Sequence, residues 1–176
     1  TSESREKLIQ QQRKLAESVN MEMDKLGIEY DDKGWRAKAF LYCVEVRCPQ
    51  TGWRVPLIPS LIISKGYHVI AELVPDPINQ RYDIIIRSGV TEQEMQASVR
   101  GTIRSEGHGQ DPYMIHHVNN NEYRTKVSTL RGDYKKPNGK SGNRLRFWEK
   151  HDFMPRPDDI FQERLYCVQW MRTKKD

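Results

Sequence analysis

The sequence predicts an α+β domain: a mostly antiparallel β-sheet with zinc-ribbon-like hairpins, preceded by an N-terminal amphipathic helix. Three observations predict it. A single apolar stripe at helical spacing runs through the first 27 residues and does not recur. Beyond it, short β-branched and aromatic runs alternate with Gly, Pro, Asn and Asp. Among these runs, Tyr42 to Leu57 folds back around Cys48-Pro49-Gln50-Thr51-Gly52. That turn has the outline of a knuckle, Cys-Pro-x-Cys-Gly, in which two thiolates grip one zinc, but Thr51 stands at the second cysteine's place.

Taken in order, residues 3–27 read as the helix. Leu8, Leu15, Val19, Met23 and Leu26 lie at spacings of 7, 4, 4 and 3. Ser2 or Ser4 is placed to cap it and Gly27 to end it. A stripe this narrow buries on one partner, either the helix's own domain or a neighbouring one. Two segments follow from this, 1–30 as the helix and 31–176 as a β-rich body. Asp31-Asp32-Lys33-Gly34 is a turn signal. Ala39 to Arg47 and Trp53 to Ile58 make a hairpin, with Pro56 and Pro59 marking an edge. Leu61 to Ser64 is a short piece. Tyr67 to Val74 and Arg81 to Arg87 are strands, and Tyr82-Asp83-Ile84-Ile85-Ile86 is strongly β-forming. Thr91 to Ala97 is a short helix with a capping box from Thr91 to Glu94. Val99 to Arg104 is read as a strand, 105–121 as irregular, and Glu122 to Leu130 as a strand. Arg131 to Gly142 is a basic loop, and Arg144 to Glu149 and Arg164 to Trp170 are strands. Pro155-Arg156-Pro157 precedes a helical turn at Asp158 to Gln162.

The 176 residues suffice for one domain with a core, or a domain plus a helix. No apolar run reaches the roughly 20 residues of a membrane span. The N-terminus carries no signal-peptide core, and both ends read as cuts in a longer chain. Three cysteines argue against a disulfide framework and for a reducing cytoplasm. The net charge of +5 is unevenly spread. Between Arg124 and Lys150 nine basic residues face only Asp133 and Glu149, a segment charge of +7 that leaves −2 for the remainder. One basic region on a near-neutral body suits a phosphate-facing surface.

The chemistry available narrows quickly. Zinc wants four Cys or His ligands, usually in close pairs. Cys43, Cys48, Cys167, His68, His108, His116, His117 and His151 offer no such pairing of thiols. Cys43 and Cys167 sit among apolar neighbours as core thiols. A site from Cys48 with His108, His116 or His117 is the only one conceivable, and zinc is not expected. There is no serine nucleophile elbow, no His-Glu-x-x-His and no phosphate loop. Asp111-Pro112-Tyr113 is one proline short of the Asp-Pro-Pro-Tyr motif of amino methyltransferases and reads as a loop turn. Asp76 and Asp83 are carboxylates near turns, and Asp158-Asp159 reads as a helix cap rather than an acid–base pair. The basic stretch offers more. Strand alternation would set Arg144, Arg146 and Trp148 on one face and Leu145 and Phe147 on the other. With Arg131, Lys135, Lys136 and Lys140, they make a surface for phosphate contact and base stacking.

These residues also resemble a known family. Gly34-Trp35-Arg36-Ala37, Leu41-Tyr42-Cys43 and Cys48 through Leu57 are similar to adenine-specific DNA methylases that carry a zinc-ribbon-like insertion. So are Leu73-Val74-Pro75-Asp76-Pro77, Ile86-Arg87-Ser88-Gly89-Val90, Leu130-Arg131-Gly132-Asp133 and the tail from Pro155 to Cys167. The resemblance covers most of the chain from the helix onward. Such proteins are several times this length, bacterial, and some lie in anti-phage gene neighbourhoods. The resemblance implies a parent that uses S-adenosylmethionine. The family's Asp/Asn-Pro-Pro-aromatic motif and Gly-rich methyl-donor loop fall outside this segment, so no catalytic or cofactor-binding residue is assigned here. Many relatives have Cys-Pro-x-Cys-Gly at the knuckle and a second cysteine pair near 105–117. Thr51 and a cysteine-free 105–117 depart from that pattern.

The expectation is therefore an internal, non-catalytic module of a DNA adenine methyltransferase. It would contact DNA through Arg131, Lys135, Lys136, Lys140, Arg144, Arg146 and Trp148, or position the catalytic core. Its partners would be DNA and the rest of the parent chain. A structural spacer whose basic face meets an acidic protein is the main alternative. The other is a contribution to the base or methyl-donor site through Asp111–Tyr113. The turn at Cys48–Gly52 is expected to be kept for its shape.

Overall fold

A computed structural model describes residues 2–27 and 29–172. The capping role of Ser2 and the terminal residues 173–176 lie outside what is described.

The hairpin at the predicted knuckle is held by its backbone. β1 (Arg36–Arg47) and β2 (Arg54–Leu57) pair antiparallel, from Val44 opposite Leu57 to Arg47 opposite Arg54. Between them Cys48 N–H donates to Trp53 O and Gly52 N–H to Cys48 O, both at 2.8 Å. Gly52 has φ +75°, a conformation that costs a residue with a Cβ about 1–2 kcal/mol. β3 (Ile62–Ser64) precedes the longest hairpin, β4 (Val69–Asp76) with β5 (Arg81–Ser88), paired from Val69 opposite Ser88 to Asp76 opposite Arg81. Its turn is nucleated by Asp76, whose carboxylate accepts from Ile78 N, Asn79 N and Asn79 Nδ2. β2 meets β5 in parallel at Arg54 and Arg81. With β11 (Phe161–Met171) the sheet is mixed but mostly antiparallel, in the order β11-β1-β2-β5-β4-β3.

After β5 comes α2 (Glu92–Ala97), capped by Thr91 with the reciprocal Glu94 bond that the sequence predicts. A second, three-stranded antiparallel sheet follows, β6 (Ile103–Arg104), β7 (Tyr113–Val118) and β8 (Asn121–Lys126). Then come α3 (Val127–Arg131) and a small hairpin of β9 (Tyr134–Lys135) and β10 (Ser141–Gly142). The core gathers Val46, Cys48, Trp53, Val55, Tyr82, Met114 and Leu130. Ile70, Val90 and Met95 form a smaller cluster.

The α+β class with a leading helix is what the sequence predicts, whereas several elements differ. The irregular reading of 105–121 gives way to β7, and the strand expected from Val99 shrinks to β6. The strand expected over Glu122–Leu130 stops at Lys126 and turns into α3. The physical cause is capture of that helix's free donors from outside. Pro112 O accepts from Val127 N at 2.8 Å, and the Asp111 carboxylate accepts from Ser128 N at 3.1 Å. No strand forms over 144–149 and no helix over 158–162. Both stretches are tied by ion pairs rather than by ladders.

The chain divides into two compact units, one of residues 1–41 with 167–176 and one of residues 42–166. β1 and β11 contribute residues to both. In the first unit α1 (Ser2–Leu26) runs 25 residues and is ended by Gly27 at φ +66°. Of its predicted stripe, Leu8, Leu15, Val19 and Leu26 are exposed and Met23 is half-buried. Among the described residues no helix is long and apolar enough to cross a membrane.

Candidate nucleic-acid interface

The basic segment lies in the second unit, between α3 and β11. It starts from Gly132, which ends α3 at φ +64°, and Arg144 N donates back to Arg131 O at 2.9 Å. Everything between them is thereby closed into a loop. β9 and β10 form its stem, with Ser141 opposite Lys135. At the tip Gly139 N donates to Lys136 O, Lys136 N to Lys140 O, and Gly139 has φ +78°. Pro137 at the second turn position and Gly139 in the left-handed region are what such a hairpin demands. Lys135, Lys136, Lys140 and Arg144 are all exposed, and none joins an ion pair among the described residues. Lys135 Nζ reaches only Ser141 Oγ, at 3.1 Å.

Arg131 and Arg146 are placed differently. Arg131 Nη2 is 2.6 Å from Asp133 Oδ2, and its Nε is buried with no hydrogen-bond partner. Arg146 is half-buried and spans two carboxylates: Nε and Nη2 each lie 2.8 Å from Asp159, and Nη1 bonds Asp152. Arg156 adds bonds to Asp152 and Glu149. Asp152 is drawn down to about 2, first by the Glu149 N–H and then by Arg146. Asp159 is lowered by Arg146 and then by Arg156 N–H. The predicted common face of Arg144, Arg146 and Trp148 is therefore not formed, because Arg146 is drawn out of strand geometry into this network. Asp159 caps no helix, since none forms over 158–162. It anchors a loop.

That loop presents apolar surface beside the lysine hairpin in sequence. Phe147 is 93% exposed, Phe153 88%, Met154 71% and Trp148 51%. Strand alternation would set Phe147 with Leu145, on the face opposite Trp148. With no strand there, only Leu145 turns partly inward, against Trp148, Pro155 and Phe161 in a cavity of about 290 Å³.

The turn at Cys48–Gly52 is tied into an all-protein network. Thr51 Oγ1 accepts from Trp53 N at 3.3 Å and lies 3.4 Å from His116 Nε2. His116 Nδ1 is 3.1 Å from Tyr82 Oη, which donates to His117 O at 2.7 Å. One proton arrangement satisfies all of these: Thr51 Oγ1–H donates to Nε2, and Nδ1–H donates to Tyr82. Burial, then the neighbouring His117, lowers the His116 pKa, consistent with a neutral ring. Cys48 Sγ sits 3.9 Å from Thr125 Oγ1. Both His116 nitrogens are engaged and only one thiol is present, so these residues do not fit a tetrahedral zinc site. Among the described residues no group of three or more His, Cys, Asp or Glu is placed to hold a metal.

The other candidates scatter. Cys43, Cys48 and Cys167 are free and buried. Burial, with Glu45 nearby, pushes Cys43 up to about 11. His68, His108 and His151 are exposed, and His117 pairs with Glu122 at 3.3 Å. Asp83 lies 3.1 Å from Arg81. Asp111 is spent on Ser128 N, while Tyr113 begins β7 under the Lys126 ammonium, 5.9 Å from its ring centroid. Sequence reasoning passed over Arg100 and Arg104 and counted Arg124 only as charge. Their signal is faint, since Arg100 lies in the loop after α2, Arg104 on β6 and Arg124 on β8.

Comparison of the chain with protein-family models, with curated proteins and with solved structures finds no match.

Proposed function

We propose that this chain is a non-catalytic, DNA-contacting module of a larger adenine-specific DNA methyltransferase, working in the cytoplasm of a bacterium. The observation that carries the DNA reading is the β9–β10 hairpin. It holds four exposed cations, Lys135, Lys136, Lys140 and Arg144, with no carboxylate paired to any of them among the described residues. Cations left unpaired in this way remain available to replace counterions along a phosphate backbone. Trp148, with Phe147, supplies aromatic surface for bases. Arg131 and Arg146 serve this reading indirectly, by bracing the loops that carry the contacts. The β1–β2 hairpin is a zinc-ribbon-like hairpin whose shape is kept by backbone bonds and the His116 network. S-adenosylmethionine would belong to the parent's catalytic region, since no residue here is assigned to it.

A spacer docking on an acidic protein would use the same cations. Base or methyl-donor binding through Asp111–Tyr113 is less supported, because the Asp111 carboxylate already caps α3. The test is anisotropy of a labelled duplex at low salt. Binding that weakens when Lys135, Lys136 and Lys140 are changed to Ala supports the DNA reading, and no binding by the unaltered chain overturns it.

A further inference from the structure

A second cationic surface is built from other residues, on the sheet β6–β7–β8. Register sets Arg104, Tyr113 and Lys126 in one row across the three strands and Ile115 beside Arg124 in another. Alternation places Tyr113 and Ile115 on the face opposite Met114 and His116, which turn into the core. Arg104, Tyr113, Ile115 and Arg124, together with Arg100, line a cavity of about 510 Å³.

Charge in this cavity is unbalanced. Arg124 is held by Glu106 at 2.7 Å and Glu122 at 2.8 Å. Arg104 Nε donates to Gly101 O at 3.3 Å, which is a neutral acceptor. Neither Arg100 nor Arg104 joins an ion pair among the described residues. The only carboxylate lining the cavity, Glu106, is thus already engaged with one of its three guanidinium groups. Guanidinium forks match the several acceptor oxygens of a phosphate better than any neutral ligand. An aromatic wall beside them suits a base or sugar.

We propose that this cavity binds a nucleotide phosphate, held by Arg100 and Arg104, with Arg124 adding its Nη1 side when Glu106 releases it while Glu122 keeps its Nε. Two sources share that chemistry, a phosphodiester of a nucleic-acid strand and a free mononucleotide. The site stands apart from the β9–β10 hairpin, since no lysine of the hairpin lines it.

The test is a residue-resolved amide NMR titration of the full chain with inorganic phosphate, thymidine 5′-monophosphate and a short oligothymidylate. The expected result is shifts at residues 100–106, 113–115 and 124. Changing Arg104→Ala or Arg100→Ala should weaken binding about fivefold, as for an exposed charge-assisted contact. Glu106→Gln lies on an exposed side chain and removes one of the two carboxylates that hold Arg124, so binding should tighten about twofold. The Lys135→Ala/Lys140→Ala variant should leave these shifts unchanged, which separates this site from the hairpin. Affinity that rises with oligonucleotide length identifies a strand, and equal affinity for the mononucleotide identifies a free nucleotide. Absence of shifts with all three probes, or shifts confined to residues 134–144, would overturn the proposal. So would unchanged affinity in both Arg104→Ala and Glu106→Gln.

Discussion

Thr51 stands where a knuckle would place its second thiolate, and its hydroxyl lies against His116 instead. That partner is 65 positions away, so the knuckle-like outline was legible in the sequence but the partner of Thr51 was not. His116 carries a pH consequence. Its pKa is lowered from 6.5 in the folded chain, so below that pH the unfolded state binds the proton that the buried ring refuses. Its stability contribution is full above about 6.5 and declines as the pH falls from there towards the lowered value. Tyr82, Tyr123 and His117 surround the ring and Thr51 touches it. The urea midpoint should therefore drop between about pH 7.5 and about pH 5.5, and His116→Phe should flatten that drop. An unchanged slope in the variant would remove His116 as the cause. Gly101 makes a different prediction. A Cβ there would sit 1.9 Å from Ile58 O and 2.9 Å from Pro59 C, both backbone atoms. Gly101→Ala should cost about 3 kcal/mol, near the top of the overpacking range, measured by urea denaturation. The sequence hid this because Gly101 lies inside the stretch Val99 to Arg104 read as one strand, and the close approach comes from a segment more than 40 residues earlier.

Among the elements, those with local signals read true. The Thr91 capping box and the β4–β5 hairpin are complete in adjacent residues. α3, β7 and the loop over 144–160 were misread because distant groups decide them: Pro112 and Asp111 for α3, Asp152 and Asp159 for Arg146. The same lesson applies to β11. Arg164 Nη1 lies 2.7 Å from Glu45 Oε1 and 2.7 Å from Tyr82 O, with both side chains largely buried. This joins β11, β1 and β5 at one point. Arg164→Ala strands the buried Glu45 charge and should cost about 3 kcal/mol in urea denaturation. α1 lies at the other extreme. Its apolar stripe is mostly exposed, and a helix without a buried face is marginal even at this length. Its amides should exchange hydrogen much faster than those of β4 and β5. Equal protection would mean that the helix is covered in solution.

At the scale of the whole molecule, charge was legible and geometry was not. The basic segment can be read from the sequence, since charge is a sum over residues and needs no fold. The sequence could not tell which cations stay unpaired. Among the described residues Arg131 and Arg146 find carboxylates, while Lys135, Lys136, Lys140 and Arg144 do not. Roles within one basic stretch should therefore be unequal, with Lys135, Lys136, Lys140 and Arg144 contacting phosphate and Arg131 and Arg146 bracing the loops. The most direct test is the salt dependence of duplex binding, as the slope of log affinity against log salt from about 50 to about 200 mM. Replacing Lys135, Lys136 and Lys140 with Ala should reduce the steepness of that slope by about 3, one counterion per lysine lost. A slope that is unchanged in the triple variant, or an unaltered chain that binds no DNA at the lower salt, would contradict the account.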